Sequence, residues 1–201
     1  MPREETRHPF TDEEKGRVLD PNPERRRYLT EVFYKYVTRK ISRADLMGLS
    51  KKKLSRLAEI GYVKYKYGRY PDALQVFKTL ATLDNINPYY QIALGGVFQK
   101  LNRHVDAVIS YTRALQLNPK DLCPHVNRGE IYLKHRNYKK AAEDFRSAIL
   151  LDPNGRNLWA NRARSLVIAL KRSLELKKRA QQAAMPQMQR PSRPHPARPR
   201  R

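Results

Sequence analysis

The sequence predicts an all-α protein: a right-handed superhelix of three two-helix repeats, with an N-terminal helix before it and a C-terminal capping helix after it. Three observations carry that expectation. Ala73, Ala107 and Ala141 recur at a fixed step of 34 residues, as do Phe77, Tyr111 and Phe145, and Gly61, Gly95 and Gly129. Turn residues fall at matching places inside the units, at Gly68 and Asn102. The helix endings YTRALQLNPKD (111–121) and FRSAILLDPNG (145–155) repeat the same order of aromatic, Ala, aliphatic, Asn or Asp, and Pro.

Taken in chain order, residues 1–22 hold Pro2, Pro9 and Pro21 among several charges and read as a flexible segment. Residues 23–53 read as an N-terminal helical region. Leu29, Val32, Phe33, Tyr36 and Val37 share one helical face there, and SRAD at 42–45 has the form of a capping box. Residues 54–155 hold the three repeats. The glycine of each first helix and the alanine of each second helix let two antiparallel helices approach closely, and the aromatic fills the space against the next unit. Pro119 and Pro153 end second helices because proline cannot continue one; the first unit has Asn85 in that slot. This spacing and residue set resembles the tetratricopeptide repeat.

Residues 156–184 read as a capping helix, with Trp159, Ala163, Leu166, Leu170 and Leu174 at three- and four-residue steps on one face. Trp159 is expected to be largely buried. Residues 185–201 are rich in Arg and Pro, contain no acid, and cannot bury a core, so a disordered tail is expected.

Lys and Arg number 42 against 19 Asp and Glu, a net charge of +23. The excess is densest after residue 176, where eight basic side chains meet no acidic one. Such a balance attracts polyanions. Arg190, Arg193, Arg198, Arg200 and Arg201, spaced by prolines, are the expected site of weak, non-specific binding to RNA, DNA or an anionic membrane. The single Cys123 rules out an internal disulfide and fits a reducing compartment. The longest aliphatic run, LVIAL at 166–170, is far too short to span a bilayer. A cytoplasmic protein without an integral membrane segment is expected.

No catalytic set stands out: GxxxxGK[ST], GxSxG and HExxH are all absent, and no cysteine pair could hold zinc. His8, His104, His125, His135 and His195 are scattered. The expectation is a non-catalytic protein with neither cofactor nor metal.

Binding remains. Stacked helical pairs line a concave groove with their first helices. The groove-facing slots read Ser55, Ala58, Tyr62 and Tyr65; Tyr89, Ile92, Gly96 and Gln99; and Cys123, Val126, Glu130 and Leu133. Tyr62, Tyr65, Tyr89, Ile92, Gln99, Val126, Glu130 and Leu133 are the expected peptide-binding residues. Repeat proteins that clamp a terminal carboxylate place cations at slots occupied here by Ala58, Tyr62, Ala93, Cys123 and Asn127, none of them cationic.

The segment 57–115 carries GRYPDALQVF, LATLD and YYQIALGGVFQKLNR, and resembles the class II chaperones of bacterial type III secretion, the LcrH/SycD family. Three repeats before a lone helix and after an N-terminal helix also match that family's layout. The resemblance implies a small chaperone that works without ATP and grips a proline- and leucine-bearing peptide of a hydrophobic translocator. It places Tyr62, Tyr65 and Tyr89 among the aromatic groove positions and implies a homodimer through residues 25–40. A scaffold that binds a polyanion through its tail while the repeats dock a protein stays open as the other function class.

Overall fold

The computed structural model describes residues 22–184, and among these there is no strand. The helices are α1 (Pro23–Val37), α2 (Arg43–Leu46), α3 (Lys51–Lys66), α4 (Tyr70–Leu83), α5 (Pro88–Lys100), α6 (His104–Leu117), α7 (Leu122–Lys134), α8 (Tyr138–Leu151) and α9 (Leu158–Ala184). The chain forms two compact units that meet in sequence between Leu117 and Asn118.

Short polar side chains start most of these helices by taking the first free backbone N–H groups. Asn22, Ser50, Asn87, Asp121 and Asn137 each accept such a bond. The capping box expected at 42–45 is present: Ser42 accepts from the Asp45 amide, and the Asp45 carboxylate accepts from the Ser42 amide at 2.8 Å. Each first helix of a pair ends on a left-handed residue: Gly68 (φ 76°), Asn102 (φ 57°) and Arg136 (φ 59°). In every case the next amide reaches back five residues, from Arg69 to Lys64, Arg103 to Phe98 and Asn137 to Tyr132. Arg136 was not anticipated, because its side-chain type gives no turn signal.

In the first unit, α3 packs on α4, α4 on α5, and α5 on α6. The 34-residue series forms the core: Ala73, Phe77, Leu80, Ala107, Tyr111 and Ala114 are at most 2% exposed. In the second unit α7, α8 and α9 pack on one another around Val126, Ala141, Phe145, Ala148 and Ala163.

Helix α9 covers this core as a cap, but only through its first half. Ala160 and Ala163 are buried, and Trp159, Leu166 and Val167 are partly buried against the cluster. Trp159 is therefore half-buried rather than largely buried, and Leu174 is 43% exposed, off the packed face. For Leu174 the reason is length: α8 has 14 residues and α9 has 27, so the far half of α9 has no helix beneath it. From Lys171 to Ala183 α9 is exposed. Arg162 helps hold the cap, pairing with Glu130 of α7 while its guanidinium lies 5.8 Å from the Trp159 ring centre. Replacing Trp159 with Ala is expected to cost about 2–3 kcal/mol, less than a fully buried aromatic, measured as a lower urea midpoint by circular dichroism. An unchanged midpoint would show that the ring does not pin the cap.

Of the apolar face read on the N-terminal helix, Val32 and Tyr36 are half-buried and the other three residues are uncovered. Leu29, Phe33 and Val37 are 49%, 66% and 59% exposed, and α1 buries no residue.

Candidate functional site

The first unit gathers Ser55, Ala58, Tyr62 and Val63 of α3 with Tyr89 of α5 around a cleft of about 540 Å³. Glu59 is the only charged residue in its lining. Tyr62 is 53% exposed and Tyr89 50% exposed, so both present ring surface to the cleft. Each stands on packed material. Ala58 and Gly61 of the same helix as Tyr62 are buried, and the Tyr89 ring meets the buried Tyr90 edge-on at 5.8 Å and 71°. Ser50 and Asn87 cap the two helices that carry the cleft, which fixes where those helices begin.

Of the other residues expected in a groove, Tyr65 turns partly inward. Its ring meets Tyr70 at 5.6 Å and 63°, and burial raises its phenol pKa above the ordinary value. Ile92 is half-buried and does not line this cleft. Gln99 is engaged internally, since its Oε1 accepts from the Tyr111 hydroxyl at 3.0 Å.

The second unit departs further from the expectation. Val126 is fully buried in the core with Phe145 and offers no surface to a ligand. The slot rule assigns faces by position within a repeat, but in α7 this position points at α8 and α9. Leu133 is partly buried against the same core. Glu130 is taken up by Arg162, with Arg162 Nη2 donating to Glu130 Oε2 at 2.9 Å. Cys123 accepts from Asn127 at 3.4 Å, and burial pushes its thiol up to about 12, which removes the thiolate needed for reactivity.

A buried ion pair in this unit gave no signal in the sequence. Arg128 donates to both oxygens of Asp144, at 2.9 and 2.7 Å, with His125 Nδ1 3.4 Å from the same carboxylate. Asp144 is 4% exposed. Burial works against its charge, yet the bonds from His125 and Arg128 outweigh that and hold its pKa below the usual carboxylate value. This pair ties α7 to α8 and belongs to the scaffold.

Among the described residues no His, Cys, Asp and Glu group could hold a metal ion, and no helix is long and apolar enough to cross a membrane. Arg190, Arg193, Arg198, Arg200 and Arg201 lie outside the described residues.

Paired helices at a 34-residue step, closed by a glycine and an aromatic, define a tetratricopeptide-repeat protein. Residues 59–121 and 124–154 match models of the Tetratricopeptide repeat family, and the chain carries those repeats. It is similar to Tetratricopeptide repeat protein 6 of Homo sapiens, 30% identical over 110 residues, or 51% of this chain and 21% of that protein. The match thus spans about a fifth of that relative's length. Among solved structures it is similar to the type III secretion chaperone SycD of Yersinia enterocolitica in complex with a peptide of the translocator YopD. That likeness has 25% identity and a TM-score of 0.59, covering 65% of this chain and 98% of the other. It is also similar to PcrH from Pseudomonas aeruginosa, with 26% identity, a TM-score of 0.58, and 61% and 95% of the two chains covered.

Proposed function

We propose that this chain is a non-catalytic chaperone or adaptor that holds an extended apolar peptide of a client protein against the face carrying Tyr62 and Tyr89. The client class is a type III secretion translocator. The observation that carries the reading is the pair of half-exposed tyrosines flanking a nearly uncharged cleft. Aromatic rings on rigid helices give a peptide large contact area at little entropic cost, and such residues dominate binding energies. The likeness to a chaperone solved with a translocator peptide supports the client class.

Grip of this kind uses no bond-making step. Apolar client side chains leave water against the tyrosine faces, Ala58 and Val63, while the phenol hydroxyls and Ser55 remain free to meet the peptide backbone. The test is fluorescence anisotropy with a labelled YopD peptide. Replacing Tyr62 and Tyr89 together by Ala should weaken binding at least about tenfold, a loss near 1.4 kcal/mol or more, with helical circular dichroism unchanged because both rings are half outside. Unchanged affinity in the double variant would move the site off this cleft.

The uncovered face of α1 supports a homodimer through residues 25–40, since Leu29, Phe33 and Val37 otherwise stand in water. Light scattering should give twice the chain mass, falling to one chain in Leu29→Asp/Phe33→Asp. A monomeric mass for the unaltered chain would remove the dimer without touching the cleft.

A further inference from the structure

A second cavity in the first unit shares no residue with the tyrosine cleft. It measures about 430 Å³, and Arg39, Arg43 and Arg113 line it together with Asn85, Gln91 and Gln116. The arginines arrive from separate places: Arg39 just past the end of α1, Arg43 at the start of α2, and Arg113 on α6. No carboxylate lines the cavity. Among the described residues none of the three guanidiniums has an ion pair, and Arg43 Nη2 only approaches the Tyr36 hydroxyl at 3.5 Å. Three like charges around one concavity repel each other, and an anion between them reverses the sign of that energy.

The second feature is Gln91. It is 5% exposed, it lines the same cavity, and no hydrogen bond joins its amide to another described residue. Its amide keeps contact with water at the cavity and can donate to a ligand oxygen in place of that water.

We propose that this cavity binds a phosphate monoester. One guanidinium fork already satisfies the two oxygens of a carboxylate, whereas three guanidiniums around one cavity without a carboxylate suit the three oxygens and double charge of a phosphate. The volume exceeds the needs of a bare phosphate, and Asn85, Gln116 and the apolar Ala81 and Leu117 leave room for a small organic group. The proposal is independent of the peptide cleft.

Isothermal titration calorimetry of the full chain with glycerol 3-phosphate, at constant ionic strength, tests it. Arg39→Gln/Arg113→Gln should weaken binding at least about tenfold. The charge-matched control Lys139→Gln/Arg146→Gln, at exposed positions of the second unit, should change it by less than about twofold. Gln91→Leu keeps the charge and should also weaken binding severalfold. Should that variant not fold, the exposed arginine pair and its control still decide. A second arm uses phosphatidylcholine vesicles containing phosphatidic acid, which offers the same group as a lipid headgroup. Loss on vesicles alone assigns a headgroup source, and loss on the soluble ester assigns a free ester; both support a phosphate site. Equal losses in cavity and control variants, or no loss in either arm, would reduce the effect to diffuse attraction by the +23 charge and overturn the proposal.

Discussion

Asp144→Ala should destabilise the second unit by about 3 kcal/mol or more, the low end of what removal of one partner from a buried ion pair costs. The Asp144 side chain is 6% exposed and that of Arg128 18%, so the variant strands a mostly desolvated guanidinium without this carboxylate. The low end applies because that residual exposure lets water reach Arg128. Replacing both partners, as Arg128→Met/Asp144→Leu, should recover most of the loss, since no charge then needs hydration inside the pair's space. The pH dependence has a definite sign. Asp144 has a folded pKa below its unfolded value of about 3.9. Its stabilisation is therefore complete above that pH and fades as pH falls through the lower folded value. Urea midpoints of the native chain and of Asp144→Ala should thus differ at pH 7 and converge in acid. Parallel curves down to pH 2 would show that the carboxylate's charge is not what stabilises the unit.

That pair also marks where sequence reading stops. The 34-residue step told which residues meet, because each recurring Ala, Gly and aromatic occupies a position whose size the helix pair dictates, and Ala73, Tyr111 and Phe145 duly lie in the core. It said nothing of Arg128 and Asp144. They are 16 residues apart on different helices, and each looks like an ordinary surface charge until the pairing of α7 and α8 takes most of both out of water. Val126 failed for the opposite reason. A slot rule that holds for a repeat followed by another repeat assigns it to a groove, but here the lone helix α9 and the α8 aromatic enclose it. Tyr62 and Tyr89 were legible because an aromatic in an outward slot has few packing alternatives, and both do stand half in water. Tyr65, one turn further along α3, has Tyr70 within reach and leans toward it. Gln91, buried with three arginines beside its cavity, could not be picked out of YYQIALGG, since an amide at that step reads as any polar helix residue.

Tyr111→Ala should be the costliest single change in the first unit, at about 3–5 kcal/mol. The ring is 0% exposed, and its hydroxyl donates to Gln99 Oε1 at 3.0 Å, which anchors its far end. Its near face lies on Gly95. A Cβ there would sit 2.5, 2.7 and 2.8 Å from three ring carbons, distances that force something to move. Gly95→Ala alone therefore sets an overpacking cost of about 1–3 kcal/mol against the roughly 1 kcal/mol by which Ala favours a helix interior over Gly. The net is a loss, because an anchored and enclosed ring has nowhere to go. In the Tyr111→Ala background the ring is gone, and the same Gly95→Ala change should stabilise by up to about 1 kcal/mol. The neighbouring Gly96 supplies the control within one helix: a Cβ there meets nothing nearer than the Tyr111 hydroxyl at 3.9 Å, so Gly96→Ala should stabilise by about 0.5–1 kcal/mol in the native background. Chemical denaturation of the single and double variants yields the coupling between positions 95 and 111 directly. If Gly95→Ala stabilised in both backgrounds, the recurring pairing of glycine with aromatic would not be what sets the helix spacing.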